Sequence, residues 1–346
     1  MSENSKRIIQ FDALRVIAVF AVVFLHTTAQ RFTDCYPSEE WVVRCCYFSL
    51  PRWAVPVFLM ISGALFLNLD KKIELKKLYL KNITRIVLIY VFWSTVYALY
   101  IGIGKYDLKG IASLIVFGPI HFWFLKVLIG LYICVPILRT IVTNKKSEQY
   151  FIFLSLITAF VIPLVFQLIG MFNADTFHSL SKIYNGFAIP IASTYACYFV
   201  LGHYLSQCSI SVKVKKIVYF LGVVSVIPVI VLTYLVTSRI GTPTELFYDN
   251  NCIFTFFEAI AVFVFIKDLQ ILFKYHHCLL SLSKMSLGVY IVHQLVIRLF
   301  YQFWGIHSAS LNPVFFIPVF AVLVFVISCI IVYILLKIPY VRNLVM

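Results

Sequence analysis

Long apolar runs separated by short polar stretches fill this chain of 346 residues. The runs cover about 9–29, 43–67, 83–104, 120–140, 150–170, 186–206, 216–237, 251–266, 284–304 and 313–336. Most approach the roughly 20 residues that a helix needs to cross the hydrocarbon layer of a membrane. Barrel strands would instead alternate apolar and polar residues in segments of about ten. The pattern predicts an all-α, polytopic integral membrane protein with ten transmembrane helices, forming a single membrane domain over 1–346. Run two contains Pro51 and Pro56, which predict a broken or bent start to that span. Run eight is the shortest.

Composition agrees with this reading. Apolar residues make up 62% of the chain and charged residues only 12%, against about 25% charged in a soluble domain. The net charge of +15 raises the question of nucleic acid, and its distribution answers it. Lysines and arginines alternate between the two ends of the spans, seventeen on one side and five on the other. The rich side includes Lys6 and Arg7, the five lysines of 71–81, and Arg139, Lys337 and Arg342. The positive-inside rule places that side, and with it both termini, in the cytoplasm. Nucleic acid is not an expected partner; membrane lipids are. The nine cysteines show no CxxC or metal-ligand spacing, so no metal site is expected.

Ionisable residues inside spans cost free energy and usually face the protein interior. The first span carries three of them, Asp12, Arg15 and His26. Eleven helical residues make about three turns, so Arg15 and His26 share a face some 16 Å apart along the axis. Asp12 lies about 60° round on the same stripe. Other spans contribute Ser62, Arg85, His121, Trp123, Lys126, His203, Glu258, Ser286, Tyr290 and His293. Each has an ordinary structural explanation: a belt aromatic, an interfacial histidine, a serine bonded to its own helix. Their number, spread over several helices, points instead to a shared polar site.

Four segments resemble the membrane acyltransferase-3 family, in order and over essentially the whole chain. FDALRVIAVFAVVFLHTT carries the Arg-x10-His spacing as Arg15 and His26, with Asp12 beside it. VPVFLMISGALFL at 55–67, HFWFLKVLIGLYICVPIL at 121–138 and SLGVYIVHQLVI at 286–297 resemble the family's second, fourth and penultimate helices. One departure is visible. The family's Arg-x-x-Arg at the start of span three reads here as Lys81-Asn-Ile-Thr-Arg85, so Asn82 replaces one arginine and Lys81 is the expected substitute charge.

The resemblance implies a bacterial cytoplasmic-membrane O-acyltransferase. Its donor would be cytosolic acetyl-CoA, with no permanently bound cofactor, and its acceptor a glycan or lipid-linked saccharide. Arg85 and Lys81 would meet the donor phosphates, with Arg15 nearby. His26 would act as general base or as a covalent acetyl relay, and Asp12 would orient Arg15. His121, Trp123, Tyr290 and His293 would line the substrate site. A transporter or flippase of a lipid-linked or anionic solute is the alternative, since buried charges and broken helices suit carriers too. No inverted repeat supports it.

Overall fold

A computed structural model describes residues 9–187, 193–269, 274–306 and 311–345. Lys6 and Arg7 lie outside the described residues, as does the 188–192 stretch of the expected sixth span. Among the described residues the regular structure is all helical. In order the helices are α1 Ile9–Ala29, α2 Glu39–Ser49, α3 Ala54–Phe66, α4 Leu75–Lys77, α5 Thr84–Gly102, α6 Leu108–Phe117, α7 Trp123–Val142, α8 Lys145–Leu156, α9 Ile162–Gly170, α10 Ala174–Gly186, α11 Thr194–Gln207, α12 Val212–Val224, α13 Val226–Ile240, α14 Ile253–Asp268, α15 His276–Trp304, α16 Pro313–Leu336 and α17 Pro339–Arg342. Nine helical stretches among the described residues are long and apolar enough to cross a membrane. The expected sixth span contributes α11, of 14 residues.

Helix starts follow local chemistry. The side chains of Ser38, Asp107, Asn144, Asn173, Ser193, Ser211 and Asn312 accept from backbone N–H groups at the starts of α2, α6, α8, α10, α11, α12 and α16. Gly241 and Gly305 close α13 and α15 in left-handed conformations, φ 78° and 64°. Helices α6 and α10 lie between spans and were not expected from the apolar pattern, being short segments beside long ones.

The expected break in span two falls at 50–53, between α2 and α3. Pro51 supplies no N–H to continue the ladder. Arg52 occupies the gap: its Nε donates to the Phe48 carbonyl at 3.0 Å and its Nη1 to the Tyr248 carbonyl at 3.0 Å. Its guanidinium also stacks on the rings of Phe48 and Tyr248, at 3.6 and 4.5 Å.

The centre of the bundle is α1, flanked by α3, α14, α15 and α16. Helix α3 packs most intimately on α11, and the reason is a pair of glycines. A Cβ on Gly63 would sit 1.7 Å from the Phe199 carbonyl oxygen, and one on Gly202 would sit 2.0 Å from that of Met60. Each backbone therefore rests directly on the other, as small residues allow in membranes, where apolar burial gives little drive for helices to associate.

Candidate active site

Arg15 Nη1 donates to Asp12 Oδ1 at 3.2 Å, and Ser283 Oγ donates to the same oxygen at 2.7 Å. Asp12 is 1% exposed. A buried carboxylate without partners would be strongly destabilising, and here a cation and a hydroxyl hold it. Because Ser283 belongs to α15, this contact also pins α15 to the start of α1.

Beside this pair is a cavity of about 550 Å³ among α1, α3, α5, α7 and α15. Arg15, Arg85, Lys284 and Arg342 line it. Arg85, Lys284 and Arg342 are exposed at its mouth, on the same end of the bundle as the exposed lysines of 71–77. Further in, Ser62, Asn82 and Tyr132 alternate with apolar walls. The far end is closed by buried Phe124 and Tyr290.

Behind Tyr290 stand three histidines from three helical segments. His26 on α1 and His293 on α15 have ring centroids 5.1 Å apart; His121, just before α7, lies 6.3 Å from His26 and 5.5 Å from His293. The Tyr290 ring is 5.9 Å from His121 and 6.1 Å from His293, and its hydroxyl donates to the His121 carbonyl. Tyr97 packs on His121 and donates to the Ile291 carbonyl at 2.8 Å. His293 Nδ1 lies 3.2 Å from the Val289 carbonyl, which can only accept, so Nδ1 is the donor there and Nε2 is the ring nitrogen left over. That Nε2, like Nε2 of His121, is buried with no hydrogen-bond partner among the described residues. His26 is half-buried.

A second set of polar groups lies near this cluster. Arg52 interacts electrostatically with both His26 and Glu258. Both carboxylate oxygens of Glu258, Nη2 of Arg52 and Oδ1 of Asn251 are buried without hydrogen-bond partners among the described residues.

The structure thus brings Arg15, held by Asp12, and Arg85 to one cavity, and gathers His26, His121 and His293 behind Tyr290, which lines it. Two expected residues stand apart. Trp123 packs on Tyr195, 5.7 Å between centroids, and does not line the cavity. Lys81 is exposed and also outside the lining, whereas Asn82 is part of it. The stretch Leu78–Ile83 that leads into α5 is π-helical, and Thr84 Oγ1 donates to the Tyr79 carbonyl just after it. His203 makes a 2.7 Å contact with Glu148, which ties α11 to α8. Sequence reasoning missed Lys284, Arg342 and Ser283 as site residues.

Among the described residues no group of His, Cys, Asp and Glu is arranged to hold a metal ion. No curated protein and no solved structure matches the chain. A family model does: the acyltransferase domain of the acyltransferase-3 family matches residues 8–333, a range that runs through α1 to the last turn of α16. The chain therefore belongs to the acyltransferase-3 family and is a membrane acyltransferase.

Proposed function

We propose that the protein is an O-acetyltransferase that moves an acetyl group from cytosolic acetyl-CoA to a hydroxyl of a cell-surface or lipid-linked sugar. One observation carries this reading. A single cavity begins among four cations and ends one aromatic ring away from three histidines. A donor with phosphates at one end and a thioester at the other matches that polarity. The separation also fits: Arg15 and His26 are about 16 Å apart along α1. The lysine-rich end faces the cytoplasm by the positive-inside rule, in a bacterial cytoplasmic membrane. Within the family, we take the chain to be similar to the stand-alone O-acetyltransferase of enterobacterial common antigen.

In the reaction the acceptor oxygen bonds to the thioester carbonyl carbon and the carbon–sulfur bond breaks. His26 takes the hydroxyl proton and returns it to the departing thiolate, so the products are an ester and free CoA. In a variant of the same scheme the His26 imidazole receives the acetyl group first and passes it on. His293 and His121 wall the reacting centre. The unpartnered polar atoms of Glu258, Arg52 and Asn251 are groups that sugar hydroxyls would satisfy.

The test is acetyl transfer by the purified protein in vesicles, given radiolabelled acetyl-CoA and a lipid-linked glycan extract. Label should enter the glycan and be released by mild base. Label that stays in acetyl-CoA, with neither transfer nor hydrolysis, would overturn the reading and favour a carrier.

A further inference from the structure

The segment that follows α16 turns back into the bundle. Its turns are closed by Arg342 N–H on the Ile338 carbonyl at 3.0 Å and Leu344 N–H on that of Val341 at 2.8 Å. Two anchors fix what comes next. The Trp93 indole N–H on α5 donates to the Leu344 carbonyl at 2.7 Å. Val345 is fully buried against α15, where a Cβ on Gly288 would stand 2.9 Å from the Val345 carbonyl oxygen. Only glycine leaves room for that approach. With residues 344 and 345 held in this way, Arg342 is delivered to the cavity mouth.

A smaller cavity of about 240 Å³ adjoins the first, between α15 and α16. Its lining includes Lys284, Lys337 and Arg342. Lys284 and Arg342 line both cavities, so two cations form the wall between them. Neither head group has a hydrogen-bond or ion-pair partner among the described residues. Lys337 stands at the side of the smaller chamber, 4.5 Å over the Tyr333 ring.

We infer that residues 337–345 form a strap that completes a two-chamber donor site, in which Arg342, Lys284 and Lys337 hold the phosphate-bearing end of a CoA thioester. The inference rests on reading the main cavity as the donor site. Cations that line a cavity and lack counter-ions fit an anionic ligand. The larger chamber, with apolar walls, suits the uncharged arm; the smaller suits the ribose phosphate beyond it. An anionic lipid headgroup offers the same phosphate chemistry, and the experiment separates the two.

Binding of CoA, dephospho-CoA and pantetheine is measured on the full-length protein in neutral-lipid nanodiscs. The variants are Arg342→Ala, Arg342→Lys, Lys337→Ala and Trp93→Phe. Arg342→Ala should weaken CoA binding about tenfold or more, the scale of a lost charge-assisted hydrogen bond, with partial recovery in Arg342→Lys. Lys337→Ala should shrink the preference for CoA over dephospho-CoA. Pantetheine binding should not respond to either. Trp93→Phe keeps the ring and loses the donor; it should expose the strap to trypsin at Arg342 and weaken CoA in parallel. Wild-type CoA affinity in Arg342→Ala would overturn the strap while leaving the donor reading in place. So would unchanged CoA affinity combined with loss of co-purifying anionic lipid by native mass spectrometry. A wild-type protein that binds no CoA would remove the donor reading and the strap with it.

Discussion

Ser283 reaches across from α15 to the carboxylate of Asp12 at 2.7 Å, so the acid that holds Arg15 is itself held by the helix that carries His293. Replacing Ser283 with Ala leaves Asp12 with one fewer donor in a buried setting. A lost hydrogen bond to a charged group costs about 1.5–3 kcal/mol. CoA binding should weaken, with Arg15 freer to leave its position, and the melting temperature should fall. Isothermal titration on Ser283→Ala, with Ser283→Thr as the conservative control, checks this; equal affinity in both would show that Arg15 does not depend on the α15 contact.

His26→Ala should remove transfer while the bundle still folds. General base catalysis is worth about 10²–10⁴-fold, and the loss of rate should fall in that range. The measurement is initial rate in vesicles beside a thermal melt in detergent. A variant that keeps most of its rate would take His26 out of the chemistry.

Arg85 lines the cavity and Lys81, four residues earlier, does not. Arg85→Ala should weaken CoA binding about tenfold or more, because Arg85 lines the cavity. Lys81→Ala should leave affinity within about fivefold, since an exposed surface charge contributes about 0–1 kcal/mol and Lys81 is outside the lining. A tenfold loss in Lys81→Ala would mean that Lys81 reaches the donor from outside the lining.

Gly63→Ala and Gly202→Ala should each disturb the packing of α3 on α11. Their added Cβ atoms would meet carbonyl oxygens at 1.7 and 2.0 Å, and backbone must shift to admit them. Lower yield of folded protein and a depressed melting temperature are expected from either, measured by fluorescence-detected size exclusion on heated samples. Normal behaviour would show that α3 and α11 separate at little cost.

Orientation is tested by single cysteines in a Cys-free background. Glu74→Cys should resist a membrane-impermeant thiol reagent on intact spheroplasts, and Glu39→Cys should react. Both positions are exposed, so access depends on the side of the membrane. The reverse pattern would end the model of donor and acceptor arriving from opposite faces.

Much of this was readable in the chain, for reasons that differ by residue. Asp12, Arg15 and His26 stood out because an apolar span is costly ground for charge. Pro51 and Pro56 marked the broken second span because proline cannot continue a helical ladder. The contact of Asp12 with Ser283 was hidden, since a serine 271 positions away in another span carries no local sign of its partner. His121 and His293 were visible one by one, but their meeting with His26 depends on how three helices pack. Lys284 and Arg342 sit at the ends of apolar runs, where a cation looks like a topology signal. Lys81 was offered as a substitute charge for the arginine that Asn82 replaces, and a family pattern carries no sign of which of the two side chains lines the cavity.

The two contacts between α1 and α15 have a mechanical meaning. Asp12 meets Ser283 near one end of the pair, and His26 meets His293 near the other. The helices run side by side in the same direction, like two rulers read at two marks. A slip of one helical turn, about 5.4 Å, would misalign both marks at once. Occupation of the cationic end and alignment of the imidazoles are thus settings of a single scale, and whatever shifts one is felt at the other without a relay between them.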